Sequence, residues 1–334
     1  MTRILVTGST GFIGGALCTA LVEKGYSVRA FHRASSNLTV LKDLPVEHFI
    51  GDLTHPDSLQ AALKGIDAVF HTAALLGNTT DIKQYYAITV KGTRAVLDAA
   101  LQTGVQRVVH TSSIAALGVP YSPSEMYAPQ QSPVMNEHST WNIKPVYWPY
   151  GYSKYLAELE IQKAVASGLD VVIVNPSYVV GPGDIYRIKD SPLVRFSKNE
   201  VPFIPTGGVN IVHIQDVVNG HLAALEYGKQ GERYILANEN LTFKSMFQKF
   251  SDFSYVPIPK ITLSGRIVRP MVKPLQLLRS IIDLPVPVEL IRYAGYGFYV
   301  SNLKSIRDLH FTYQYTADDA IRDAFEWFQK NSQI

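Results

Sequence analysis

The opening stretch constrains this chain more than any other. Ile4-Leu5-Val6 is a short apolar run of the kind that fills a buried strand. It leads straight into Thr7-Gly8-Ser9-Thr10-Gly11-Phe12-Ile13-Gly14. Ile13, Leu17, Ala20 and Leu21 then recur at helical spacing until Gly25 stops the helix. A glycine pattern set between a strand and a helix has a meaning it lacks elsewhere. Gly8 permits the tight turn, Gly11 lets a pyrophosphate approach the backbone, and Gly14 lets the helix pack on the sheet. The helix N-terminus offers unpaired N–H groups and partial positive charge to the phosphates. The whole loop, with Thr10, Phe12 and Ile13, reads as a dinucleotide-binding turn.

The rhythm continues downstream. Val28 to Phe31, Val46 to Ile50, Ala68 to Phe70, Val108-Val109 and Val171 to Val174 read as further strands. Ser58 to Leu63, Tyr85 to Thr103 and Tyr150 to Ser167 read as helices between them, the last two closed by Gly104 and Gly168. Strands alternating with helices predict an α/β fold, a doubly wound parallel sheet with helices on both faces. After Pro176 prolines and glycines crowd the chain to Pro205. A strand at Ile211-Val212, a helix from Asp216 to Tyr227 and a last main-sheet strand at Arg233 to Leu236 follow. From Thr242 the chain reads as irregular, broken by prolines, until an amphipathic helix over Ala317 to Lys330. At about 150 residues per domain, 334 residues suit two modest domains. Residues 1–175 are expected to form a dinucleotide-binding domain, with 206–238 returning to it. Residues 176–205 and 239–334 are expected to form a smaller, discontinuous substrate-binding region.

Composition narrows the function classes. Apolar residues at 46% and charged residues at 18% suit a packed protein and exclude a disordered one. A net charge of +3 is too weak to argue for nucleic acid. No apolar run reaches the length of a membrane span, and the first residues lack a signal peptide's apolar region. The single cysteine, Cys18, excludes an internal disulfide and a cysteine-based metal site. It falls on the apolar pattern of the first helix and reads as core. No His-Glu-x-x-His, phosphate-binding Gly-Lys-Ser/Thr loop or Gly-x-Ser-x-Gly is present, so no metal is expected. These features favour a reducing, cytoplasmic setting.

The second chemical motif is Tyr150-Gly151-Tyr152-Ser153-Lys154, at the start of a long helix. Residues four apart share a helix face, so Tyr150 and Lys154 point into one space. An ammonium beside a phenol favours the phenolate and brings the tyrosine toward neutral-pH proton transfer. Tyr152 lacks such a partner, because Leu156 stands four residues on. Thr111-Ser112-Ser113, after the fifth strand, offers hydroxyls at a carboxyl end, where open α/β sheets bind ligands.

The end of the second strand bears on the cofactor. An acid there would accept from the ribose 2′-hydroxyl of NAD. The chain has Phe31-His32-Arg33-Ala34-Ser35-Ser36 instead. Arg33 suits the 2′-phosphate of NADP, so NADP is favoured and NAD remains open. Asp52, in Gly51-Asp52-Leu53, suits either the adenine amino group or a turn.

With these residues in place, the chain resembles an extended short-chain dehydrogenase/reductase of the NAD-dependent epimerase/dehydratase family, over nearly its whole length. The anchors are Thr7 to Gly14, Gly51-Asp52-Leu53, His71-Thr72-Ala73-Ala74, Thr111-Ser112-Ser113, Tyr150 to Lys154 and Asn175-Pro176. The resemblance implies a Rossmann fold. It implies Ser113 as the hydroxyl that orients the substrate oxygen, with Ser112 its rival, and Tyr150 as the acid/base. It implies Lys154 on the nicotinamide ribose, Pro176 and Ser177 beside the nicotinamide, and Ala73 beside the cofactor's central region. Asp52 and Leu53 are also placed against the cofactor. A homodimer through the two long helices is implied too. One departure stands out: where the family usually has Asn-Val-x-Gly-Thr, this chain reads Thr89-Val90-Lys91-Gly92-Thr93.

Within the family, Val28 to Arg33, Trp148-Pro149-Tyr150, Ala157-Glu158 and Gly231 to Leu236 look like the dihydroflavonol-4-reductase branch. Sugar-nucleotide epimerases tend to carry Arg-Asp-Phe where this chain has Val209-Asn210-Ile211. Valine cannot grip a diphosphate, although Arg187, Lys189, Arg195 or Lys198 could substitute. The segment from Tyr121 to Trp148 holds Tyr127, Trp141, Tyr147 and Trp148, which suit either an apolar pocket wall or a pinned loop. The stretch Ile261 to Arg292, with Lys273 and Arg279, reads as a lid rather than a membrane contact. The expected function is hydride transfer between a nicotinamide and the carbonyl or secondary alcohol of a fairly apolar small molecule. A sugar-nucleotide epimerase or dehydratase and a non-catalytic NADP sensor are the alternatives.

Overall fold

The computed structural model describes residues 2–76, 81–121, 133–186, 188, 191–272, 274, 291–331 and 334. In chain order the strands are β1 (Arg3–Thr7), β2 (Ser27–His32), β3 (Glu47–Ile50), β4 (Ala68–His71), β5 (Arg107–Thr111), β6 (Val171–Pro176), β7 (Tyr178–Val180), β8 (Ile204–Pro205), β9 (Gly208–His213), β10 (Arg233–Leu236), β11 (Glu239–Thr242), β12 (Thr262–Leu263) and β13 (Gly297–Phe298). The main sheet is seven-stranded, in the order β3-β2-β1-β4-β5-β6-β10, and every pair in it is parallel. The order reverses between β1 and β4. The crevice above their carboxyl ends is the place where such sheets take ligands.

Strand side chains alternate between two cores. Ile4 and Val6 join Leu17 and Leu21 of α1 (Phe12–Glu23) and Val217 and Val218 on the opposite bank. Leu5 points the other way, toward Leu59 of α2 (Pro56–Leu63), Val96 and Ile161. Burial on both faces explains why these strands read as continuous apolar runs rather than alternating ones. α1 ends as the sequence indicates: Gly25 is left-handed at φ +80, and the amides of Lys24, Gly25 and Tyr26 take up the last carbonyls.

Three expectations need correction. The helix expected over Tyr85 to Thr103 is not uniform. It comprises α3 (Ile82–Tyr85), a π-helical turn over Tyr86–Lys91, and α4 (Gly92–Thr103). One inserted residue leaves apolar spacing legible on either side, so periodicity does not show it. The stretch after Thr242 is not irregular at first. Past α5 (Pro149–Ala166), α6 (Pro192–Ser197) and α7 (Ile214–Tyr227), it forms α8 (Phe243–Ser254). Thr242 caps α8 by accepting from the Ser245 amide at 3.0 Å, and Met246, Phe247 and Phe250 form its buried face. The prolines that suggested irregularity begin only after this helix. Finally, the expected return of 206–238 reaches the main sheet only through β10, because Ile211-Val212 sits in β9, in a second sheet with β7, β11 and β13.

That second sheet, α6, α8 and the C-terminal helix Ala317–Lys330 enclose a third core around Phe196, Phe247, Phe250 and Phe328. A buried aspartate ties this layer to α7. Asp216 accepts the amides of Gln314 and Tyr315 at 2.9 and 3.1 Å, just before the C-terminal helix begins. No helix among the described residues is long and apolar enough to cross a membrane.

Candidate active site

The glycine turn is built by close approach. Gly8 is left-handed at φ +66, and a Cβ there would lie 2.8 Å from the Ala73 backbone and from Thr72 Oγ1. A Cβ on Gly14 would run into the Gly8 carbonyl and come within 2.8 Å of Thr72 Oγ1. Gly11 differs: its added Cβ would meet only the Gly8 oxygen, at 3.2 Å, so its outer face is open. Gly11 is also the N-cap of α1 and carries no side-chain cap. The first-turn N–H groups of α1 thus face an open glycine surface, a donor set that suits a pyrophosphate. A nicotinamide dinucleotide fits this turn. Thr10 is buried beside it, and Phe12 and Ile13 open the helix with their bodies packed on the first core.

The base of the turn is held by a hydrogen-bond chain that the sequence does not show, although its residues lie in motifs already named. Thr7 Oγ1 hydrogen-bonds His71 Nδ1 at 2.7 Å, and His71 Nε2 reaches Thr93 Oγ1 at 3.0 Å. Ala73 donates its amide to Thr7 Oγ1 at 3.3 Å, placing the β4 loop against the turn. Burial, with the nearby Lys154 charge, pushes the His71 imidazole down to about 3, so it serves as a neutral clasp. His71 was legible only as part of a family signature.

Tyr150 stands in the first turn of α5, behind Pro149, which suits that position by its fixed φ. Its ring meets the buried Tyr85 ring edge-on, with centroids 6.2 Å apart. Lys154, one turn on, is 3% exposed and donates from Nζ to the Thr111 carbonyl at 2.8 Å. Burial brings its ammonium down to about 8, against the opposing pull of Glu158. The two serines after β5 part company. Ser112 is buried and donates its hydroxyl to Glu158 Oε1 at 2.5 Å. Ser113 is half-buried and its Oγ accepts from the Ala115 amide at 3.1 Å.

The remaining candidates lie around this centre. Arg33 is exposed just past β2. Asp52 Oδ1 accepts from both the amide and the hydroxyl of Thr54 at 2.8 Å, which makes it a turn former. Leu53 turns inward against Gly92, where a Cβ would sit 3.1 Å from its own. Pro176 ends β6 in the register of Leu236. Ser177 donates its hydroxyl to Asn210 Oδ1 at 2.7 Å. Asn210 is itself fully buried and also bonds Asn238 and Asn240, so its side chain is spent inside the fold. Thr89 lies in the π turn, where its hydroxyl accepts from the Leu75 amide at 3.2 Å. It anchors the β4 loop.

The aromatic residues of this segment pack on α5 and on one another. Trp141 packs on Tyr152 and Tyr155 of α5, with centroids 5.4 and 6.2 Å away, and so pins its segment. Trp148, next to the helix that carries Tyr150, meets Tyr293 and Phe298 at 5.6 and 5.7 Å. Tyr127, Arg187, Lys189, Lys273 and Arg279 lie outside the described residues.

The chain is similar over its length to several known proteins. A "Putative dihydroflavonol 4-reductase" of Synechocystis is 34% identical, over 98% of this chain and 95% of its own length. Vestitone reductase of Medicago sativa is 28% identical, over 97% of this chain and 96% of its own. The crystal structure of gox2253 superposes with a TM-score of 0.84 at 32% identity, and all of both chains is covered. The model of the NAD dependent epimerase/dehydratase family matches residues 4–237, and the chain belongs to that family.

Proposed function

We propose that this protein is an NADP-preferring oxidoreductase acting on the carbonyl or secondary alcohol of a fairly apolar small molecule. The observation that carries the reading is the buried Lys154, held one helical turn from Tyr150 at the carboxyl edge of β5. When bound, the nicotinamide supplies or accepts the hydride. Gly8, Gly11, Gly14 and the first turn of α1 hold the pyrophosphate. Tyr150 gives its proton to the substrate oxygen, or takes it in the reverse direction. Lys154 spends one N–H on Thr111 and keeps two for the ribose and the phenol. Ser113 Oγ accepts from an amide, which leaves its O–H to donate to the substrate oxygen. Ser112 cannot share that task while it donates to Glu158. Trp148, Tyr293 and Phe298 wall the substrate side. The names of the two relatives as reductases support the direction of the reading.

Arg33 selects the 2′-phosphate, because no acid stands at the end of β2 and a guanidinium can grip phosphate with two donors. Arg33→Ala is expected to raise the KM for NADPH by about tenfold or more and leave that for NADH nearly unchanged. Equal changes for both cofactors, measured by initial rates, would remove Arg33 from that role. The chain is also proposed to form a homodimer through α4 and α5, where Leu101 and Leu159 stay exposed beside the Arg94–Glu160 ion pair. Light scattering is expected to give twice the chain mass of 37.1 kDa, and a monomer at micromolar concentration would refute it.

The function itself is tested by NADPH oxidation across a panel of ketones and aldehydes. Epimer formation with no net NADPH consumption would point to a sugar-nucleotide enzyme. Tight cofactor binding with no turnover on any carbonyl would point to a sensor.

A further inference from the structure

Two signatures in the sequence, Ala157-Glu158 and Gly231 to Leu236, take no part in the chemistry above, yet they meet inside the fold. Glu158 is 6% exposed and lies one turn beyond Lys154 on α5. Its Oε1 accepts from Ser112 Oγ and, at 2.7 Å, from Asn175 Nδ2. The same Asn175 amide donates to the Ser113 carbonyl at 2.9 Å. Glu158 Oε2 accepts from Arg233 Nη1 at 3.1 Å.

Arg233 opens β10, the edge strand of the main sheet. It spends its other nitrogens on the segment that leads to the aromatic wall. Nε donates to the Glu137 carbonyl at 2.8 Å and Nη2 to the Ser139 carbonyl at 2.6 Å. The Glu137 carboxylate closes the loop by accepting the Ile235 amide at 3.0 Å. Trp141 follows two residues after Ser139 and packs on α5. A buried carboxylate must be paired and fully hydrogen-bonded. The planar fork of an arginine can serve a carboxylate and two carbonyls at once, which a lysine cannot do in the same geometry.

We propose that Glu158 and Arg233 are paired positioning residues that lock the reacting side chains to the substrate wall. Glu158 fixes the Ser113 backbone through Asn175 and sets the charge beside Lys154. Arg233 holds residues 137–139, and through them Trp141, in register with α5. This rests on the reading of Ser113, Tyr150 and Lys154 as the reacting set, and neither partner touches substrate.

The two ends of the pair leave different marks. Among the described residues, the groups that act on Lys154 are Glu158 on its own helix, His71 on β4, and His110 and the Thr111 carbonyl on β5, with Tyr150 four residues back on the same helix face. Burial keeps both imidazoles neutral, so Glu158 is the group that favours the ammonium. Removing its charge lowers the lysine pKa, and the basic limb of the rate profile then moves to lower pH. Changing Arg233 leaves that carboxylate in place and instead frees the 137–139 segment.

The test compares Glu158→Gln, Glu158→Asp, Arg233→Lys and Arg233→Gln in the full chain. Glu158→Gln, which keeps an acceptor for Ser112 and Asn175, is expected to move the basic limb of kcat/KM down by about one pH unit. Glu158→Asp keeps the charge and is expected to leave the limb in place while lowering kcat. Both Arg233 variants are expected to raise substrate KM by about tenfold with little change in kcat. They should also speed limited proteolysis within residues 133–148, where Glu158→Asp should not. The proposal is overturned if all four variants only lower the melting temperature and keep the wild-type pH limb, KM and cleavage rate. It is equally overturned if an Arg233 variant folds with the segment still protected. A Tyr150→Phe protein that keeps its turnover would remove the underlying reading, while the proteolysis result would still decide whether Arg233 holds the segment.

Discussion

Tyr150→Phe is expected to lower turnover by about 10²- to 10⁴-fold, the usual worth of a positioned acid–base group, with cofactor affinity close to wild type. The substitution removes one oxygen and keeps the ring that packs on Tyr85. The helix start, set by Pro149, and the Lys154 contact to Thr111 do not depend on that oxygen. Stopped-flow turnover and fluorescence titration with NADPH separate the two effects, and near-normal turnover would end the assignment. Lys154 adds a pH signature. Its folded pKa of about 8 lies below the ordinary lysine value of 10.5, so the ammonium is present below about pH 8 and lost above it. Activity that needs the ammonium should therefore fall as pH rises through 8. Folding stability should move the opposite way. Between about pH 8 and 10.5 the unfolded chain binds the extra proton, so the cost of burying this charge is relieved as pH rises.

Gly14→Ala is expected to weaken cofactor binding by about 10- to 100-fold while leaving a folded chain. The added methyl collides with the Gly8 carbonyl, which is turn backbone, and with Thr72 Oγ1, a hydroxyl held in place by donating to the Thr7 carbonyl at 2.7 Å. Overpacking of this kind costs about 1–3 kcal/mol. If the turn relieves the clash by opening, the helix N-terminus withdraws from the pyrophosphate and affinity falls by about 10- to 100-fold. Titration with NADPH alongside a thermal melt checks this. Unchanged affinity in a folded protein would show that the turn does not cradle the cofactor.

What could be read directly was local. The glycine turn, the strand and helix order and the shared face of Tyr150 and Lys154 depend on spacings of a few residues, which backbone geometry converts directly into position. The edge strand Arg233–Leu236 and the final helix were legible for the same reason. The π turn around Thr89 was not, because it changes hydrogen-bond partners without erasing apolar periodicity. Helix α8 was hidden by proline breaks that lie beyond it.

The amino-acid order by itself determined the sheet's alternation and the register of phenol and ammonium, since each follows from a repeat carried within one element. Only the tertiary structure decided that Ser112 gives its hydroxyl to a buried carboxylate. Ser112 is claimed by Glu158, 46 residues away, and Glu158 is held by Arg233, 75 residues further on. Partners so distant are chosen by how the layers pack, because a buried carboxylate takes whichever donors the fold brings within hydrogen-bond reach.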